Sequence, residues 1–301
     1  MRSTRPGARW GRRTGLALAG LVLAVVAGAG WVAVRTSFAA WRDAFPSREL
    51  VKVTGHDELE VSLRSADGVQ LSAAWRPARN GAAVVLAHGL HANRDQLRGQ
   101  AEALEGAGFG VLLLDLRAHG RSGGNESTRG DRERLDVAAA VAFAAAQPGV
   151  RPGRLGALGF SIGALAVADE AIDDPRIAAV ALVSMAPSAE ADIRASYAHR
   201  GLLTQLPALW TTEALGVDVS AVRPVDRLDR LAERPVLLVY GAHDEVAPPA
   251  FGQDLLGRLR GGGELYVMPG VGHGGWDAAS AAALDARVVA FFTRALLAPD
   301  R

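Results

Sequence analysis

The chain of 301 residues contains no cysteine, and this absence excludes disulfide bonds, thiolate nucleophiles and cysteine-ligated zinc together. A surplus of charge is also missing. The 33 basic residues face 32 acidic ones, which argues against a nucleic-acid-binding protein with its usual basic excess. Wholesale disorder is excluded, because 49% of the residues are hydrophobic and only 22% are charged. The length allows one large domain or two ordinary ones with a sizeable buried core.

Charge is nevertheless unevenly distributed along the chain. Residues 1–45 hold seven arginines and one acid, Asp43, whereas the remaining positions hold 26 basic and 31 acidic residues. Within this head of the chain, Gly15–Val34 is a run of 20 residues without a charge. As a helix the run would be about 30 Å long, which matches the hydrocarbon core of a bilayer. It therefore predicts a transmembrane helix.

The arginines around the run predict its orientation. Five precede it and only Arg35 and Arg42 follow closely, so residues 1–14 are interpreted as a basic cytoplasmic head and the rest of the chain as extracytoplasmic. Two interpretations stay open: an uncleaved signal anchor, or a signal peptide cleaved at Ala27-Gly28-Ala29 that releases a secreted domain. The apolar run continues past that cleavage site, which favours the anchor, and residues 35–54 then form a linker. A buried core helix is disfavoured by the length of the run and by its charged flanks.

From residue 55 to residue 298 the sequence alternates between strand and helix patterns. Two runs with alternating apolar residues, joined by Ser65-Ala66-Asp67-Gly68, predict an antiparallel hairpin. The continuous apolar runs that follow are typical of buried parallel strands, and their alternation with helices predicts an α/β fold with a doubly wound, mostly parallel sheet. Residues 186–234 are too long for one crossover helix and are interpreted as a small helical lid. The predicted strands are 58–64, 69–76, 82–88, 110–116, 154–159, 177–184, 235–241 and 264–268, and the predicted helices are 95–104, 132–147, 162–172, 249–259 and 278–297.

The pentapeptide Gly159-Phe160-Ser161-Ile162-Gly163 matches the pattern G-x-S-x-G. It lies between a predicted strand and a predicted helix, the context in which this pattern exposes a nucleophilic serine. A glycine-rich helix start with a serine cap is the alternative interpretation. Ser161 is therefore a candidate nucleophile, and the amide of Ile162, at the start of the helix, is a candidate donor to an oxyanion.

A serine hydroxyl needs a general base, and that base needs an acid to orient it. Asp244 follows one predicted strand and His273 follows the next, so both lie past the carboxyl ends of strands, on the edge where such sheets bind ligands. Their order along the chain, Ser161 then Asp244 then His273, is the order expected for a serine nucleophile in this context. Glu245, adjacent to Asp244, remains an alternative acid.

The loop after the strand at 82–88 supplies a second candidate donor to an oxyanion, the amide of Leu90. Gly89 beside it allows the backbone to turn closely. His88 and His91 in the same loop are interpreted as residues that hydrogen bond within the loop rather than as metal ligands.

Two further glycine-rich loops are interpreted without a cofactor. Gly270–Gly275 has the spacing G-x-G-x-x-G, but the βα units that a dinucleotide site needs do not follow it. The polar loop 115–124 is expected to pack and hydrogen bond beneath the site. Since no H-E-x-x-H motif occurs either, neither a metal nor a cofactor is expected.

Five motifs carry a resemblance to a known family. They are HGLH at 88–91, DLRAHGRSGG at 115–124, GFSIG at 159–163, GAHDEVAP at 241–248 and GVGHGG at 270–275. Together they resemble the α/β-hydrolase superfamily over roughly residues 55–298, and within it the serine-aminopeptidase-like and dienelactone-hydrolase-like branches. The resemblance implies an eight-stranded sheet and a Ser–His–Asp triad, with Ser161 as nucleophile, His273 as base and Asp244 as acid. Ala118 departs from the pattern, because relatives often have glycine there, and this leaves the shape of its loop open.

The expected function is that of a cofactor-free serine hydrolase that cleaves a carboxylic ester or thioester through an acyl-enzyme. Its expected partners are a small-molecule acyl substrate and, through the N-terminal helix, a membrane. A peptidase or amidase and an acyltransferase on the same three residues are alternatives. A non-catalytic membrane-anchored scaffold is an alternative of another class.

Overall fold

The computed structural model describes residues 7–46, 58–198, 201–231, 233–259 and 262–298. Its first element, α1, is a single helix from Gly7 to Ala44 that contains the predicted transmembrane run. The part from Leu21 to Ala44 is long and apolar enough to cross a membrane. The predicted head is helical from Gly7 onward, and residues 1–6 lie outside the described residues.

The segment predicted as a linker begins as part of this helix and is packed rather than free. Thr36, Ala40 and Ala44 are buried at intervals of four residues, which places them on one face of α1 against the rest of the protein. The helix is exposed on all sides from Leu21 to Trp31, so within residues 21–44 it is the last three turns that contact the domain. Residues 47–54 of the predicted linker lie outside the described residues.

An eight-stranded sheet forms the centre of the domain, in the strand order β1-β2-β4-β3-β5-β6-β7-β8. Strands β1 and β2 form the predicted antiparallel hairpin at one edge, and β2 also runs antiparallel to β4, whereas every later pairing is parallel. The mostly parallel, eight-stranded architecture is confirmed. The strands are β1 (Leu59–Arg64), β2 (Gln70–Arg76), β3 (Ala83–Ala87), β4 (Gly110–Leu114), β5 (Leu155–Phe160), β6 (Ile177–Val183), β7 (Val236–Gly241) and β8 (Gly263–Met268).

Helices cover both faces of the sheet, which is why the central strands are apolar without alternation. Every residue of β3, β4, β5 and β7 is buried. One apolar core joins the sheet to α3 and α4, and a second core on the opposite face joins it to α2 and α8, so the predicted doubly wound arrangement is confirmed. These helices and α7 are α2 (Arg98–Gly106), α3 (Glu133–Ala145), α4 (Ile162–Asp173), α7 (Pro249–Arg258) and α8 (Ala278–Leu296).

The helix predicted at 95–104 differs most from the observed element. The segment opens as a 3₁₀ turn over Arg94–Leu97, and α2 begins only at Arg98. Asn93 causes this start, because its side-chain oxygen accepts a hydrogen bond from the Asp95 amide at 2.8 Å.

The predicted lid is helical and lies between β6 and β7. It contains α5 (Ala189–Ala198), α6 (Leu202–Ala214) and a 3₁₀ helix at Pro224–Leu231. Helix α6 packs along α1, so the N-terminal helix and the lid support each other.

The carboxyl ends of the parallel strands reach the same level, and this positions the loops that carry the candidate residues. Ala87 at the end of β3 pairs with Gly159 of β5, and Gly241 at the end of β7 pairs with Met268 of β8. The loops that follow these four strands therefore meet along one edge of the sheet.

Candidate active site

Ser161 occupies a tight turn between β5 and α4, with φ 54° and ψ −118°. A non-glycine residue pays strain in this conformation, which raises the side chain out of the line of the strand. The flanking glycines are required by close packing. A Cβ on Gly159 would lie 2.4 Å from the Gly163 carbonyl oxygen, and a Cβ on Gly163 would lie 2.3 Å from the Ala87 carbonyl oxygen. The G-x-S-x-G pattern is thus explained by the turn itself.

His273 lies in the loop between β8 and α8 and reaches the serine. Its Nε2 is 3.1 Å from the Ser161 Oγ, a hydrogen-bond distance. The ring packs against Phe160, with ring centroids 5.1 Å apart, and Phe160 in turn contacts Trp276. The imidazole is therefore held by contacts on its face as well as at its nitrogens.

Asp244 lies in the loop after β7 and contacts the other ring nitrogen of His273. The Nδ1 atom is 2.9 Å from Oδ2 and 3.1 Å from Oδ1 of the carboxylate. Oδ1 also accepts hydrogen bonds from the amides of Val246 at 3.0 Å and Ala247 at 2.7 Å. Asp244 is only 3% exposed, so its orientation is determined by these four contacts.

The structure brings Ser161, His273 and Asp244 together, as the sequence analysis expected from their positions after three strands. It separates the alternative acid from them, because Glu245 is exposed to solvent and makes none of the hydrogen bonds to His273. Adjacent residues in this turn point in different directions, which is how one of two neighbouring carboxylates is selected.

The two candidate oxyanion donors lie on segments that press against each other. A Cβ on Gly89 would lie 2.7 Å from the Phe160 ring, so the loop that carries Leu90 lies directly beside the Ser161 turn. Ile162 is the first residue of α4, where amides have no partner within the helix. Among the loop and cap hydrogen bonds of the described residues, none is donated by the amide of Leu90 or of Ile162. Both amides are therefore available to a negatively charged oxygen.

A layer of buried polar side chains supports the Leu90 loop from below. His88 accepts a hydrogen bond from the Leu116 amide at 3.1 Å through Nε2 and contacts the Gly89 carbonyl oxygen at 2.7 Å through Nδ1. His119 accepts from the His91 amide at 3.3 Å. Burial lowers the pKa of His88 to about 3, with a smaller contribution from His119, so His88 stays neutral and serves as a structural hydrogen-bonding group.

The departure at Ala118 is explained by its backbone. Ala118 has φ 63°, in the left-handed region where glycine costs least, and its amide donates to the Gly123 carbonyl at 2.8 Å. The loop therefore keeps a turn suited to glycine even though alanine occupies the position. Elsewhere in the loop, the Leu116 amide donates to His88 and the Ser122 hydroxyl donates to the Asp115 carbonyl.

Comparisons with known proteins give the family. A model described as serine aminopeptidase matches residues 78–215, and a model described as TAP-like protein matches residues 208–300. An esterase of Pyrococcus furiosus superposes with a TM-score of 0.70 at 24% identity, over 84% of this chain and 98% of that one. The chain belongs to the α/β-hydrolase superfamily.

Three further proteins resemble the chain in fold or in sequence. The α/β hydrolase GrgF of a Penicillium species has the same fold, with a TM-score of 0.66 and 18% identity over 80% of this chain and 100% of that one. An uncharacterized protein of Mycobacterium tuberculosis is 28% identical over 239 residues, 76% of this chain and 75% of its own length. Thiohydrolase aneE of Aspergillus aculeatus is 32% identical over 139 residues, 45% of this chain and 43% of its own length. The protein is an α/β-hydrolase enzyme.

An ionic network that no sequence pattern indicated joins α1 to this site. Asp43, near the end of α1, accepts hydrogen bonds from Tyr197 on α5 at 2.8 Å and from Arg129 at 3.1 Å, and it lies 3.1 Å from Nε2 of His91. The last of these contacts holds the residue next to Leu90. In the sequence, the feature that could have indicated a role for Asp43 is that it is the one acid among seven arginines in residues 1–45.

The network continues from α1 into the lid. The Arg129 guanidinium also donates to Asp192 of α5 at 3.2 Å, and both side chains are buried. Burial raises the pKa of Asp192, while the charge of Arg129 acts in the opposite direction. The lid therefore contributes a buried carboxylate to the network that contacts His91, the residue next to Leu90.

The turn that contains Arg129 is held by Glu133, the first residue of α3. The Glu133 carboxylate accepts hydrogen bonds from Ser127, Thr128 and Gly130, and these bonds hold the backbone in place on both sides of Arg129. Among the described residues, no group of three or more His, Asp or Glu side chains is arranged to hold a metal ion.

Proposed function

We propose that the protein is a membrane-anchored serine hydrolase that cleaves a carboxylic ester or thioester through an acyl-enzyme. The observation that carries the proposal is the chain of contacts from the Ser161 Oγ to His273 Nε2 at 3.1 Å and from His273 Nδ1 to Asp244 at 2.9 Å. Nucleophile, base and orienting acid in one hydrogen-bonded line are what acyl transfer to a serine requires.

In the first half of the reaction, Ser161 Oγ attacks the carbonyl carbon and His273 Nε2 takes the hydroxyl proton. Asp244 stabilises the imidazolium through Nδ1. The amides of Leu90 and Ile162 donate to the oxygen that becomes negatively charged. When the tetrahedral intermediate collapses, the alcohol or thiol leaves with the proton from His273, and the acyl group stays on Ser161.

In the second half, water replaces the leaving group. His273 takes a proton from the water, whose oxygen attacks the acyl carbon, and the same two amides bind the new oxyanion. Collapse returns the proton to Ser161 and releases a carboxylic acid. No step requires a metal or a cofactor.

Three comparisons bear on the leaving group. The similarity to a fungal thiohydrolase supports a thioester substrate, and the fold shared with an archaeal esterase is compatible with an oxygen ester. The match to the serine aminopeptidase model supports amide hydrolysis as a second candidate. The three substrates differ in their leaving groups, so direct comparison of rates separates them.

The membrane part of the proposal rests on α1. Its surface from Leu21 to Trp31 is apolar and exposed, an arrangement that water disfavours and a bilayer accepts. If α1 is an uncleaved anchor, the full-length chain stays in the membrane after a carbonate wash and its N-terminal sequence begins near Met1. A soluble mature form that begins near Gly30 would show cleavage instead.

The chemical part is tested with a fluorophosphonate probe and a substrate panel. The wild-type chain is expected to be labelled, and Ser161→Ala is expected to abolish labelling. Ser184→Ala is the matched control, because Ser184 ends the neighbouring strand with a similar φ of 52°. Equal labelling of wild type and Ser161→Ala would refute the nucleophile. Rates on an aryl ester, an acyl thioester and an aminoacyl amide then rank the candidate reactions.

A further inference from the structure

The lid carries an apolar face that the domain does not cover. Leu203, Leu206 and Trp210 of α6 are 70%, 48% and 63% exposed, and their spacing of three and four residues puts them on one side of the helix. The helix contains no charged residue before Glu213. Exposed apolar faces of this kind mark surfaces that contact another apolar phase.

The position of α6 on α1 indicates which phase this is. Near the start of α6, Thr204 donates to the carbonyl of Tyr197, whose own hydroxyl donates to Asp43 of α1, whereas Trp210, two turns later, lines a groove with Ala33 and Ser37. Helix α6 therefore runs antiparallel to the last part of α1, and its carboxyl end points back toward the apolar, exposed part of α1.

The side chains of α1 mark where the bilayer would end. Arg35 lies over the ring of Trp31, with its guanidinium carbon 5.0 Å from the ring centroid. Tryptophan and arginine at the end of an apolar helix belong at the boundary between hydrocarbon and headgroups. Trp210 lines one groove with Ala33 and Ser37, within two turns of this pair, which places it beside the part of α1 where headgroups would lie.

A second stripe on α1 has the same character. Phe38, Trp41 and Phe45 are exposed at intervals of three and four residues. The Phe38 ring stacks on Trp41 with a centroid distance of 5.8 Å, and the Phe45 ring is tilted against Trp41 at 5.2 Å. Arg35 and Arg42 are exposed beside them, and positive charges at this level complement anionic lipid headgroups. Apolar faces, aromatic rings and arginines thus occur together where α6 lies along the end of α1.

We propose that the α6 face of Leu203, Leu206 and Trp210 rests in the headgroup region of the bilayer that α1 spans. The lid is then a membrane-contacting element, and the hydrolase takes its acyl substrate from the membrane. This substrate class, an ester or thioester with a long acyl chain, rests on the proposed function above.

Contacts inside the lid connect this face to the candidate site. The Thr204 hydroxyl at the start of α6 donates to the Tyr197 carbonyl at the end of α5 at 2.7 Å. Helix α5 carries Asp192, which pairs with Arg129, and Tyr197, which donates to Asp43 beside His91. A lid held by the membrane therefore also holds the network that contacts the residue next to Leu90.

The absence of native cysteines allows a direct depth measurement. The full chain is prepared as Leu206→Cys, Val25→Cys and Ala250→Cys, each labelled with an environment-sensitive fluorophore in nanodiscs of phosphatidylcholine and phosphatidylglycerol. Lipids with a quencher near the headgroup are expected to quench the label at 206, and lipids with a quencher deep in the acyl chain the label at 25. The label at 250, an exposed position on α7, is expected to stay unquenched.

An activity measurement tests the substrate class. Leu206→Glu is expected to lower the rate on a long-chain acyl ester in vesicles tenfold or more, while its rate on a short soluble ester stays within twofold of wild type. Ala250→Glu is the control with the same added charge and is expected to match wild type on both.

The outcomes separate this inference from the proposed function. Quenching at 25 without quenching at 206 would overturn the inference and leave the anchor in place. No quenching at 25 would refute the anchor and the inference together, while fluorophosphonate labelling reports on the serine chemistry independently. Equal losses of Leu206→Glu on both esters would overturn the substrate class, and a concentration-dependent signal at 206 without lipid would assign the face to a second copy of the chain.

Discussion

Replacing the acid beside His273 is the sharpest test of the proposed chemistry. In Asp244→Asn one oxygen is exchanged for an NH₂ group of nearly the same size, so the fold is expected to survive. The Val246 and Ala247 amides, 3.0 Å and 2.7 Å from Oδ1, decide how the new amide sits. If its NH₂ group faced these two donors, both hydrogen bonds would be lost, at about 1–3 kcal/mol for each unsatisfied group.

The asparagine oxygen therefore stays with the backbone amides, and its NH₂ group takes the place of Oδ2, 2.9 Å from His273 Nδ1. There it donates to Nδ1 and forces the ring proton onto Nε2, the nitrogen that faces Ser161. That tautomer cannot accept the serine proton. We expect a loss of ~10⁴-fold in kcat/KM, equivalent to about 5.5 kcal/mol of transition-state stabilisation.

The measurement is kcat/KM on a short-chain aryl ester, with the thermal midpoint as a control for folding. Glu245→Gln is the matched variant, because it makes the same chemical change one residue away on an exposed side chain. Its expected loss is less than about tenfold, since a solvated charge contributes little. If Glu245→Gln were the severe variant, the acid would be Glu245, and if both variants were mild the triad assignment would be refuted.

Three other predictions concern α1, the serine turn and the buried histidine. Asp43→Asn is expected to lower kcat on the aryl ester about tenfold with little change in KM, because it loosens the loop of Leu90; unchanged kcat would refute this coupling. Gly163→Ala is expected to lower the free energy of unfolding in urea by about 3 kcal/mol or more, whereas Gly257→Ala, with open space around its Cβ, is expected to be neutral or stabilising. The native pKa of His88 lies below its unfolded value of 6.5, so only the unfolded state takes up this proton as pH falls. From this group alone, the free energy of unfolding is expected to be about 2 kcal/mol lower at pH 5 than at pH 7. In His88→Gln, the free energy of unfolding should differ less between the two pH values.

Much of the candidate site could be predicted from the sequence because the chemistry follows strand ends. Ser161, Asp244 and His273 each come directly after a buried apolar run, and parallel strands deliver their carboxyl ends to one edge. The helix boundaries were off by up to three residues, because caps rather than apolar patterns determine where a helix starts. The 3₁₀ turn at Arg94–Leu97 is the clearest case.

Other parts of the site depend on contacts between residues far apart in the chain. Asp43 meets Arg129 across 86 positions and Tyr197 across 154, and no local pattern reports such a pairing. The same holds for the packing of α6 along α1, which turned a predicted linker into a supporting helix. Side-chain patterns within a window of a few turns carry no information about which distant element will cover them.

The sequence by itself determined the alternation of strands and helices, the apolar run of α1 and the identity of the serine, histidine and aspartate loops, since periodicity and turn chemistry are local properties. Only the tertiary structure decided between Asp244 and Glu245, because the two backbone amides that donate to Asp244 hold its carboxylate in the turn, and the neighbouring Glu245 then points outward. It also decided that the end of α1 belongs to the surroundings of the site. The Asp43 carboxylate on α1 reaches Arg129 only when the domain has folded around both, and the energy of such a pair exists only in that folded arrangement.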